Sequence, residues 1–283
     1  MFDPIGVYDS GLGGLTVVRE LWRQAPCEPV IYFGDTARVP YGGRPAEEII
    51  AFSREIIGFL AGAGCRMIIA ACNTSSALAL PVVAEEAPVP ILGVLEAGAE
   101  VAALSTSNGR IGVLATEATA RSGAYAKAIK ERLPWASVYE QSCPALVPLI
   151  EAGLGQSPDT RDALRAYLGP LREQEVDTVV LGCTHYPLIM DEIARALPGG
   201  VTIVNPAIRA VERAARFLGA PGKAEDERCG EASKEAARRQ DRFFVSGDPR
   251  RFRDAAALAL GASLPVVRRH YPPAWAGMEA RSS

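Results

Sequence analysis

Short apolar runs alternate along the chain with longer segments that carry a helical spacing of apolar and polar positions. Eight of these runs are rich in Val, Ile and Leu: PIGVYD, PVIYFGD, RMIIAAC, VPILGVL, GRIGVLAT, ASVYEQS, VDTVVLGC and VTIVNP. Nearly continuous apolar strands separated by helix-length segments are typical of βαβ units, whose parallel sheet is buried on both faces. The pattern therefore predicts an α/β fold.

The eight runs form two sets of four that resemble each other in order. Four correspondences align the two sets, and the spacing within the pairs grows only slightly along the chain: Ile5-Gly6-Val7 with Ile111-Gly112-Val113, Tyr32 with Tyr139, Cys72 with Cys183, and Ile91 with Ile203. A duplicated unit with small insertions gives such a drift. We expect two pseudosymmetric, doubly wound lobes with mainly parallel sheets.

Polar clusters follow several predicted strands at the carboxyl end. They are Asp9 with Ser10, Asn73 with Thr74, Thr116, and Thr184 with His185. In parallel α/β sheets ligands lie beyond the carboxyl ends of the strands, where helix N-termini offer free N–H groups. If the lobes face each other, the matched cysteines lie on opposite walls of one cleft. The sequence therefore predicts a site in the cleft between the lobes.

Composition excludes several classes of function. The 283-residue chain has a net charge of −3 and 48% hydrophobic residues, which leaves no basic field for a nucleic acid. The start MFDPIGVYDS lacks the basic and apolar parts of a secretory signal, and the longest uncharged run, from Met67 to Ala84, is interrupted by polar residues and proline. We expect a cytoplasmic protein without a membrane span. Assembly into a homo-oligomer stays open, because no stripe of residues predicts an interface.

The chain has six cysteines and two histidines, and neither set has metal-site spacing. In a reducing compartment we expect free thiols, most of which fill space in the core. Cys72 and Cys183 differ from the others because they occupy matched positions in the two halves. The remaining four are expected to be structural: Cys27, Cys65, Cys143 and Cys229.

The glycines of DSGLGG do not form a nucleotide-binding signature. The pattern GxGxxG fails at Thr16, and GxxxxGK[ST] occurs nowhere in the chain. Gly11, Gly13 and Gly14 are expected either to turn the chain with their amides facing a ligand or to form a plain βα turn.

Two matched thiols suggest a reaction that works from both sides of a carbon. A cysteine at a helix N-terminus favours the thiolate over the thiol, whose ordinary pKa is about 8.5. One such cysteine suggests a nucleophile, whereas two suggest inversion at the α-carbon of an amino acid. One thiolate would remove the α-proton while the opposite thiol delivers a proton to the other face.

Seven motifs together resemble the bacterial glutamate racemases, within the cofactor-independent aspartate/glutamate racemase superfamily. The resemblance covers residues from about 4 to about 260 and is carried by DSGLGG, GDTARVPYG, ACNTSSA, SGAY, LVPLIEAG, LGCTHYPL and FVSGDPRRF. It implies racemisation of glutamate, supplying D-glutamate for peptidoglycan, with neither a cofactor such as pyridoxal phosphate nor a metal. The segment VNPAIRAV departs from the family pattern, so it is given no role at the substrate.

The same resemblance implies roles for individual residues. Cys72 would serve the D-enantiomer with help from Asp9, and Cys183 would serve the L-enantiomer with help from His185 and Glu151. Further residues are expected to contact the substrate, as Asp9 and His185 would also do: Ser10, Pro40, Tyr41, Gly42, Asn73, Thr74, Thr116, Thr119 and Thr184.

Domain boundaries follow in part from the resemblance, which implies that helices after the second lobe return to the first. We expect a first lobe of residues 1–98 plus 209–265, a second lobe of residues 99–208, and a C-terminal tail of residues 266–283. The charged segment from Lys223 to Arg242 is expected to be a solvated loop or helix face. His270 is expected at the surface.

Alternatives stay open at this point. A related racemase could act on aspartate or another amino acid, since pocket length is not encoded in a motif. A hydrolase with one nucleophilic cysteine and a non-catalytic bilobal binding protein are further hypotheses. Ser, Thr, Asn and Asp after strands are also common helix caps, and Tyr41 could serve only to pack a turn.

Overall fold

Two parallel sheets organise the protein. The structure, a computed structural model, describes residues 3–219, 229–260, 264 and 266–270. Every strand pairing within the described residues is parallel, and helices cover the sheets, so the protein is α/β with two lobes as predicted. Within the same residues, every helix is too short or too polar to span a membrane.

The larger sheet has six strands. Its order is β10-β9-β2-β1-β3-β4. The strands are β1 Ile5–Asp9, β2 Val30–Gly34, β3 Met67–Ala70, β4 Ile91–Gly93, β9 Arg242–Val245 and β10 Val267–Arg269. The first three are buried at every position, because helices pack on both faces of the sheet.

The smaller sheet has four strands in the order β6-β5-β7-β8. They are β5 Arg110–Ala115, β6 Ser137–Ser142, β7 Thr178–Gly182 and β8 Thr202–Val204. This order repeats β2-β1-β3-β4 of the larger sheet, strand for strand. The predicted duplication is therefore present in the topology, and all eight predicted runs contain a strand.

The register of the sheets corrects one of the predicted correspondences. Val7 pairs with Tyr32, whereas its counterpart Val113 pairs with Glu140. Glu140, and not Tyr139, therefore occupies the position equivalent to Tyr32. From the sequence alone, Tyr139 could not be distinguished from a true equivalent of Tyr32, because the strand pairing was not known. A register shift of one residue places a side chain on the other face of the sheet.

Helices and short 3-10 turns connect the strands. Those that pack on the larger sheet or precede the second lobe are α1 Leu15–Gln24, α2 Ala46–Gly62, α3 Asn73–Leu78, α4 Leu80–Val83, α11 Pro206–Phe217, α12 Glu231–Gln240 and α13 Pro249–Leu260, with a 3-10 helix at Tyr41–Gly43. The others are α5 Val94–Ser105, α6 Glu117–Ser122, α7 Ala124–Arg132, α8 Leu146–Glu151, α9 Pro158–Glu173 and α10 Met190–Ala196, with a 3-10 helix at Tyr186–Ile189.

Four apolar clusters fill the two faces of each sheet. Helices α1, α11 and α13 cover one face of the larger sheet and α2 covers the other. Helices α8, α9 and α10 cover one face of the smaller sheet, and α5 and α7 cover the other. Helix α1 shows why the layers form: Leu15, Val18 and Leu21 recur at helical spacing and are fully buried, so one apolar stripe faces the sheet.

The C-terminal part of the chain differs from the prediction. Strand β10 pairs with β9 in the larger sheet, so a tail that begins at residue 266 is wrong for Val267–Arg269. His270 is half-buried, with its ring centroid 4.0 Å from that of Phe59, and is not a simple surface residue. Both features depend on long-range packing, which a short charged run does not reveal. Residues 271–283 lie outside the described residues.

The described part of the charged segment contains helix α12. Helix α12 presents a mostly exposed polar surface, with only Ala237 buried, while residues 223–228 lie outside the described part of the chain.

Cys27 and Cys229 form a disulfide across a sequence separation of 202 residues. The expectation of six free thiols is therefore wrong for this pair. The other four cysteines are free and buried.

Candidate active site

A cavity of about 230 Å³ lies where the carboxyl ends of the two sheets face each other. Predicted residues that line it are Ser10, Pro40, Tyr41, Gly42, Cys72, Asn73, Thr74, Thr116, Cys183, Thr184 and His185. Pockets for drug-sized ligands usually enclose about 300–1,000 Å³. The smaller volume favours a ligand of amino-acid size over a nucleotide. Both matched cysteines thus reach one cavity from different lobes.

Cys72 caps the N-terminus of α3 on the first-lobe wall. The backbone N–H of Ser75 donates to its sulfur at 3.5 Å, and the sulfur lies 4.0 Å from Ser10 Oγ. Burial, followed by the negative charge of Asp9, raises the pKa of Cys72 to about 11 despite the bond from Ser75. The prediction that the helix N-terminus makes this cysteine a thiolate is therefore wrong, because desolvation outweighs the helix. Cys72 is a neutral thiol at neutral pH.

Cys183 has a different environment on the opposite wall. It follows β7, and the Nδ1 atom of His185 lies 3.7 Å from its sulfur. The other ring nitrogen of His185 lies 3.0 Å from Glu151 Oε1, which comes from the last residue of α8. Burial opposes a charge on His185, but its hydrogen bonds to Cys183 and Glu151 outweigh that effect and raise its pKa to about 10. The imidazole is therefore charged at neutral pH and faces the sulfur.

Asp9 connects the two lobes behind the cavity wall. It is fully buried at the end of β1, and its carboxylate accepts hydrogen bonds from Thr184 Oγ1 at 3.1 Å and from the Gly11 N–H at 3.0 Å. Glu151 and Thr119 likewise lie behind residues that line the cavity. The structure therefore brings these three predicted residues to the site without placing them in the wall itself.

Three threonine hydroxyls form a cluster between the lobes. Thr74 Oγ1 lies 3.0 Å from Thr116 Oγ1 and 3.2 Å from Thr119 Oγ1, and the last two hydroxyls lie 3.0 Å apart. Thr116 also caps α6, where its oxygen accepts from the Thr119 N–H. Thr116 thus both caps a helix and lines the cavity. The role as a helix cap and the role at the substrate are compatible in this residue.

The segment around Tyr41 is held by a hydrogen bond to the buried carboxylate of Asp35. Tyr41 donates its hydroxyl to Asp35, which also accepts from Arg38 Nε at 2.6 Å and Ser246 Oγ at 2.7 Å. Burial raises the pKa of Asp35 in spite of these partners. Ser246 belongs to the FVSGDPRRF motif, so this motif acts on the site through Asp35 and the Tyr41 segment.

The glycines of DSGLGG lie where other atoms approach the backbone closely. A Cβ on Gly13 would lie 2.4 Å from Thr184 Oγ1 and 2.6 Å from His185 Nδ1, while one on Gly14 would lie 2.4 Å from Asp9 Cβ. None of the three glycines lines the cavity. Of the two alternatives, the plain βα turn therefore fits better than amides that face a ligand. Gly13 is needed because the lobes approach each other closely there, and Gly14 because its backbone lies against Asp9.

Sequence reasoning missed part of the wall. The residues it did not single out are Val39, Gly43, Glu117, Cys143, Pro144, Val147 and Pro148. Val39, Gly43, Val147 and Pro148 lie within or next to quoted motifs, which could have identified them. Cys143 carried no signal in the sequence, because it has no matching cysteine in the first half. Its burial raises its pKa to about 12.

The charge of the wall decides how it can bind an anion. Among the described residues, Glu117 and His185 are the charged side chains that line the cavity, and no Lys or Arg does. Besides the charged imidazole of His185, hydroxyl groups, the Asn73 amide and helix N-termini can bind a carboxylate. Within the same part of the chain, no group of three or more His, Cys, Asp or Glu could hold a metal ion.

Comparisons with known proteins agree with this geometry. The family model described as Asp/Glu/Hydantoin racemase matches residues 10–214. A curated glutamate racemase from Desulforudis audaxviator is 44% identical over 257 residues, which cover 91% of this chain and 93% of the relative. The chain is also similar to the crystal structure of a glutamate racemase isoform from Bacillus anthracis, with a TM-score of 0.85, 33% identity and coverage of 96% and 98%.

A second solved structure adds a ligand. The glutamate racemase from Francisella tularensis, crystallised in complex with D-glutamate, has a TM-score of 0.83 and 32% identity to this chain. The alignment covers 96% of this chain and 98% of that one. The similarity therefore includes both lobes.

Proposed function

This chain belongs to the Asp/Glu/hydantoin racemase family, and we propose that it interconverts L- and D-glutamate without a cofactor by proton transfer between Cys72 and Cys183. The observation that carries the proposal is that the matched, buried sulfurs of Cys72 and Cys183 line one small cavity from different lobes. A single nucleophile would need only one of them. The ligand named for the Francisella tularensis relative, D-glutamate, supports the choice of substrate.

The two sulfurs have different neighbours. Burial, followed by the negative charge of Asp9, raises the pKa of Cys72 to about 11, so Cys72 starts as a thiol. Cys183 lies 3.7 Å from a ring nitrogen of the charged His185 imidazole, which is placed to stabilise negative charge on that sulfur during proton transfer. Cys72 is therefore suited to act as the acid for the L-enantiomer, and we assign the role of base to Cys183.

The proposed reaction moves two protons and leaves the α-carbon inverted. The Cys183 thiolate takes the α-proton of L-glutamate, and the electron pair of the broken C–H bond delocalises into the α-carboxylate. The Cys72 thiol then delivers its proton to the opposite face, which gives D-glutamate. Cys72 is left as thiolate and Cys183 as thiol. The reverse reaction starts from that state, or proton exchange with water restores the first one.

Substrate binding is assigned to neutral donors. Ser10, Asn73, Thr74, Thr116 and Thr184 line the cavity and offer hydroxyl or amide donors to the carboxylates. Tyr41, with Pro40 and Gly42, closes one side of the cavity. Asp9 and Thr119 act from behind this layer. We include in the proposal the role that is typical of the family, supply of D-glutamate for peptidoglycan in the cytoplasm.

Exchange with deuterated water tests the mechanism. The purified protein is incubated with L-glutamate in D₂O, and the D-glutamate formed is analysed by mass spectrometry. We expect each product molecule to carry deuterium at the α-carbon, because the proton on Cys72 comes from solvent. Racemisation that leaves the original hydrogen in place would overturn the two-sulfur mechanism.

Single substitutions test the assignment of the sulfurs. Cys72→Ser and Cys183→Ser should each abolish full turnover, whereas Cys65→Ala, which removes a buried free thiol outside the cavity, should retain it. An acyl-enzyme trapped on one cysteine would instead identify a hydrolase. A higher kcat/KM for aspartate than for glutamate would mean that the substrate is aspartate and that the enzyme is a different racemase of the same family.

A further inference from the structure

Tyr125 reaches from the second lobe to a residue of the first-lobe wall. It lies near the start of α7 and is fully buried, and its hydroxyl is 2.6 Å from Asn73 Oδ1. Asn73 is the first residue of α3, next to Cys72, and it lines the cavity. Tyr125 itself does not line the cavity. Its contact with the site therefore passes through the Asn73 amide.

The backbone leaves space for this tyrosine at two points. A Cβ on Gly98 in α5 would lie 3.0 Å from the Tyr125 hydroxyl and 2.8 Å from Pro206 Cγ. A Cβ on Gly182 at the end of β7 would lie 3.2 Å from Tyr125 Cε2. Glycines from two separate elements thus flank the ring and its hydroxyl. Tyr125 occupies a fitted slot that ends at Asn73.

We propose that Tyr125 is a positioning residue that fixes the side-chain amide of Asn73, so that its Nδ2 group faces the cavity and donates to a substrate carboxylate. This inference rests on the proposed function, since it concerns how the same cavity binds glutamate. The Asn73 side-chain amide ends in two groups of nearly equal size: the Nδ2 group donates hydrogen bonds and Oδ1 accepts them. A tyrosine that donates to Oδ1 selects one of them.

Charge explains why the selection matters. Among the described residues, the cavity wall has no Lys or Arg, and its one cation, His185, lies beside Cys183, so the neutral donors near Cys72 contribute much of the affinity for a carboxylate there. With the amide reversed, Oδ1 would face the substrate oxygens and repel them. Burial holds the pKa of Tyr125 well above its ordinary value, so the phenol keeps the proton that it donates. The hydrogen bond also joins the two lobes. Tyr125 therefore orients Asn73 when the lobes lie as they do in this structure.

The first test is steady-state kinetics of Tyr125→Phe. We expect KM for glutamate to rise about fivefold to tenfold, because the amide loses one buried hydrogen bond, with kcat changed by less than about twofold. Thr178→Val is the control, since Thr178 is equally buried and its hydroxyl donates to Asp177 Oδ1 at 3.0 Å at the start of β7, the end of the strand opposite the cavity. Its KM should remain at the wild-type value. An unchanged KM in Tyr125→Phe would overturn the inference while racemisation by the wild type still stands.

The double variant separates positioning from general loss of structure. In an Asn73→Ala background, Tyr125→Phe should change KM by less than about twofold, because the group through which it acts is absent. A full effect in that background would show that Tyr125 acts by another route and would reject the proposal. Melting temperatures of all variants show which of them remain folded.

Side-chain NMR gives a reading that does not depend on activity. The amide signals of Asn73 in ¹⁵N-labelled protein are identified by their absence in Asn73→Ala. We expect one sharp pair in the wild type and a broadened or split pair in Tyr125→Phe. An identical sharp pair in both would contradict the proposal. A wild type that does not act on glutamate would defeat the proposed function, and these signals would still decide the orientation of Asn73.

Discussion

Glu151 and His185 form a hydrogen-bonded pair, 3.0 Å from Oε1 to Nε2, on the side of the imidazole that faces away from Cys183. His185 is buried, whereas the Glu151 side chain is 32% exposed. The carboxylate is therefore open to solvent while it supports a charge on a buried ring. This charged ring is what distinguishes the environment of Cys183 from that of Cys72.

The first prediction concerns Glu151→Gln. The imidazolium is present below the His185 pKa of about 10 and is lost as pH rises through that value. Cys183, Glu151 and Asp9 all raise this pKa, and glutamine removes the contribution of Glu151, so the charge is lost at lower pH. We expect the alkaline fall of kcat/KM for L-glutamate to move down by about one pH unit. The measurement is a pH profile of racemisation in both variants.

A control separates this effect from a general change of charge. Glu173→Gln removes a carboxylate at the exposed end of α9, far from the cavity, and should leave the profile unchanged. Coincident profiles for Glu151→Gln and the wild type would mean that Glu151 does not set the charge of His185.

The second prediction concerns Asp9→Asn. Burial is the largest cause of the raised pKa of Cys72 and the negative charge of Asp9 is the next, so asparagine should lower the pKa from about 11 without bringing it to the ordinary value. Ultraviolet absorbance of the thiolate follows the titration, with Cys72→Ser subtracted to isolate the signal. We expect the midpoint at lower pH in Asp9→Asn. A midpoint that does not move would show that the charge of Asp9 is not felt at the sulfur.

The sequence predicted the strands that are buried on both faces, for a physical reason. Such strands are nearly continuous in apolar residues, as in MIIA of β3 and TVVLG of β7. The runs RFFV of β9 and VRR of β10 were not predicted as strands, because they contain charged side chains and lie near the edge of the sheet. Their place is set by the partner strands β2 and β9, which local pattern does not specify.

The candidate site was predictable where motif and strand end coincide. Cys72 and Cys183 follow β3 and β7, so topology alone brings them to one edge of each sheet. Contacts made by long-range packing were not predictable, as Tyr125 with Asn73 and Cys27 with Cys229 show. The raised pKa of Cys72 was missed for the same reason, because desolvation depends on everything that surrounds the sulfur.

The third prediction concerns the close approach of the lobes at Gly13. Alanine there would place its Cβ within 3.0 Å of Thr184 Oγ1 and of both Nδ1 and the backbone N of His185. The backbone atom cannot move without shifting the residues that hold Cys183. We expect Gly13→Ala to lose at least about 100-fold in kcat/KM and to be destabilised by about 1–3 kcal/mol. Kinetics and thermal unfolding measure the two effects.

Gly58 offers the matched control for that substitution. It lies inside α2, and a Cβ there would meet nothing within 4 Å. Gly58→Ala should therefore keep full activity and gain up to about 1 kcal/mol from helix propensity. Full activity in Gly13→Ala as well would mean that the lobes need not come as close during turnover as they do in this structure.

The fourth prediction concerns the disulfide between Cys27 and Cys229. Neither sulfur lines the cavity, so Cys27→Ser should leave kcat and KM unchanged. The bond closes a loop over a separation of 202 residues, and loop entropy gives an upper bound of about 5 kcal/mol, of which about 2–4 kcal/mol is usual. We therefore expect a clear fall in melting temperature in Cys27→Ser, and the same fall in wild type under reducing conditions.

Counting thiols in denaturant decides whether the bond is present. The oxidised wild type should show the four free cysteines of the structure, and the reduced protein should show all six of the sequence. Six reactive thiols before reduction would mean that the pair is open, as the sequence predicted for a reducing compartment. Four thiols with an unchanged melting temperature on reduction would mean that the bond forms but adds nothing to stability, and that packing such as that of Ala237 and of Arg238 on Trp22 is enough to hold α12.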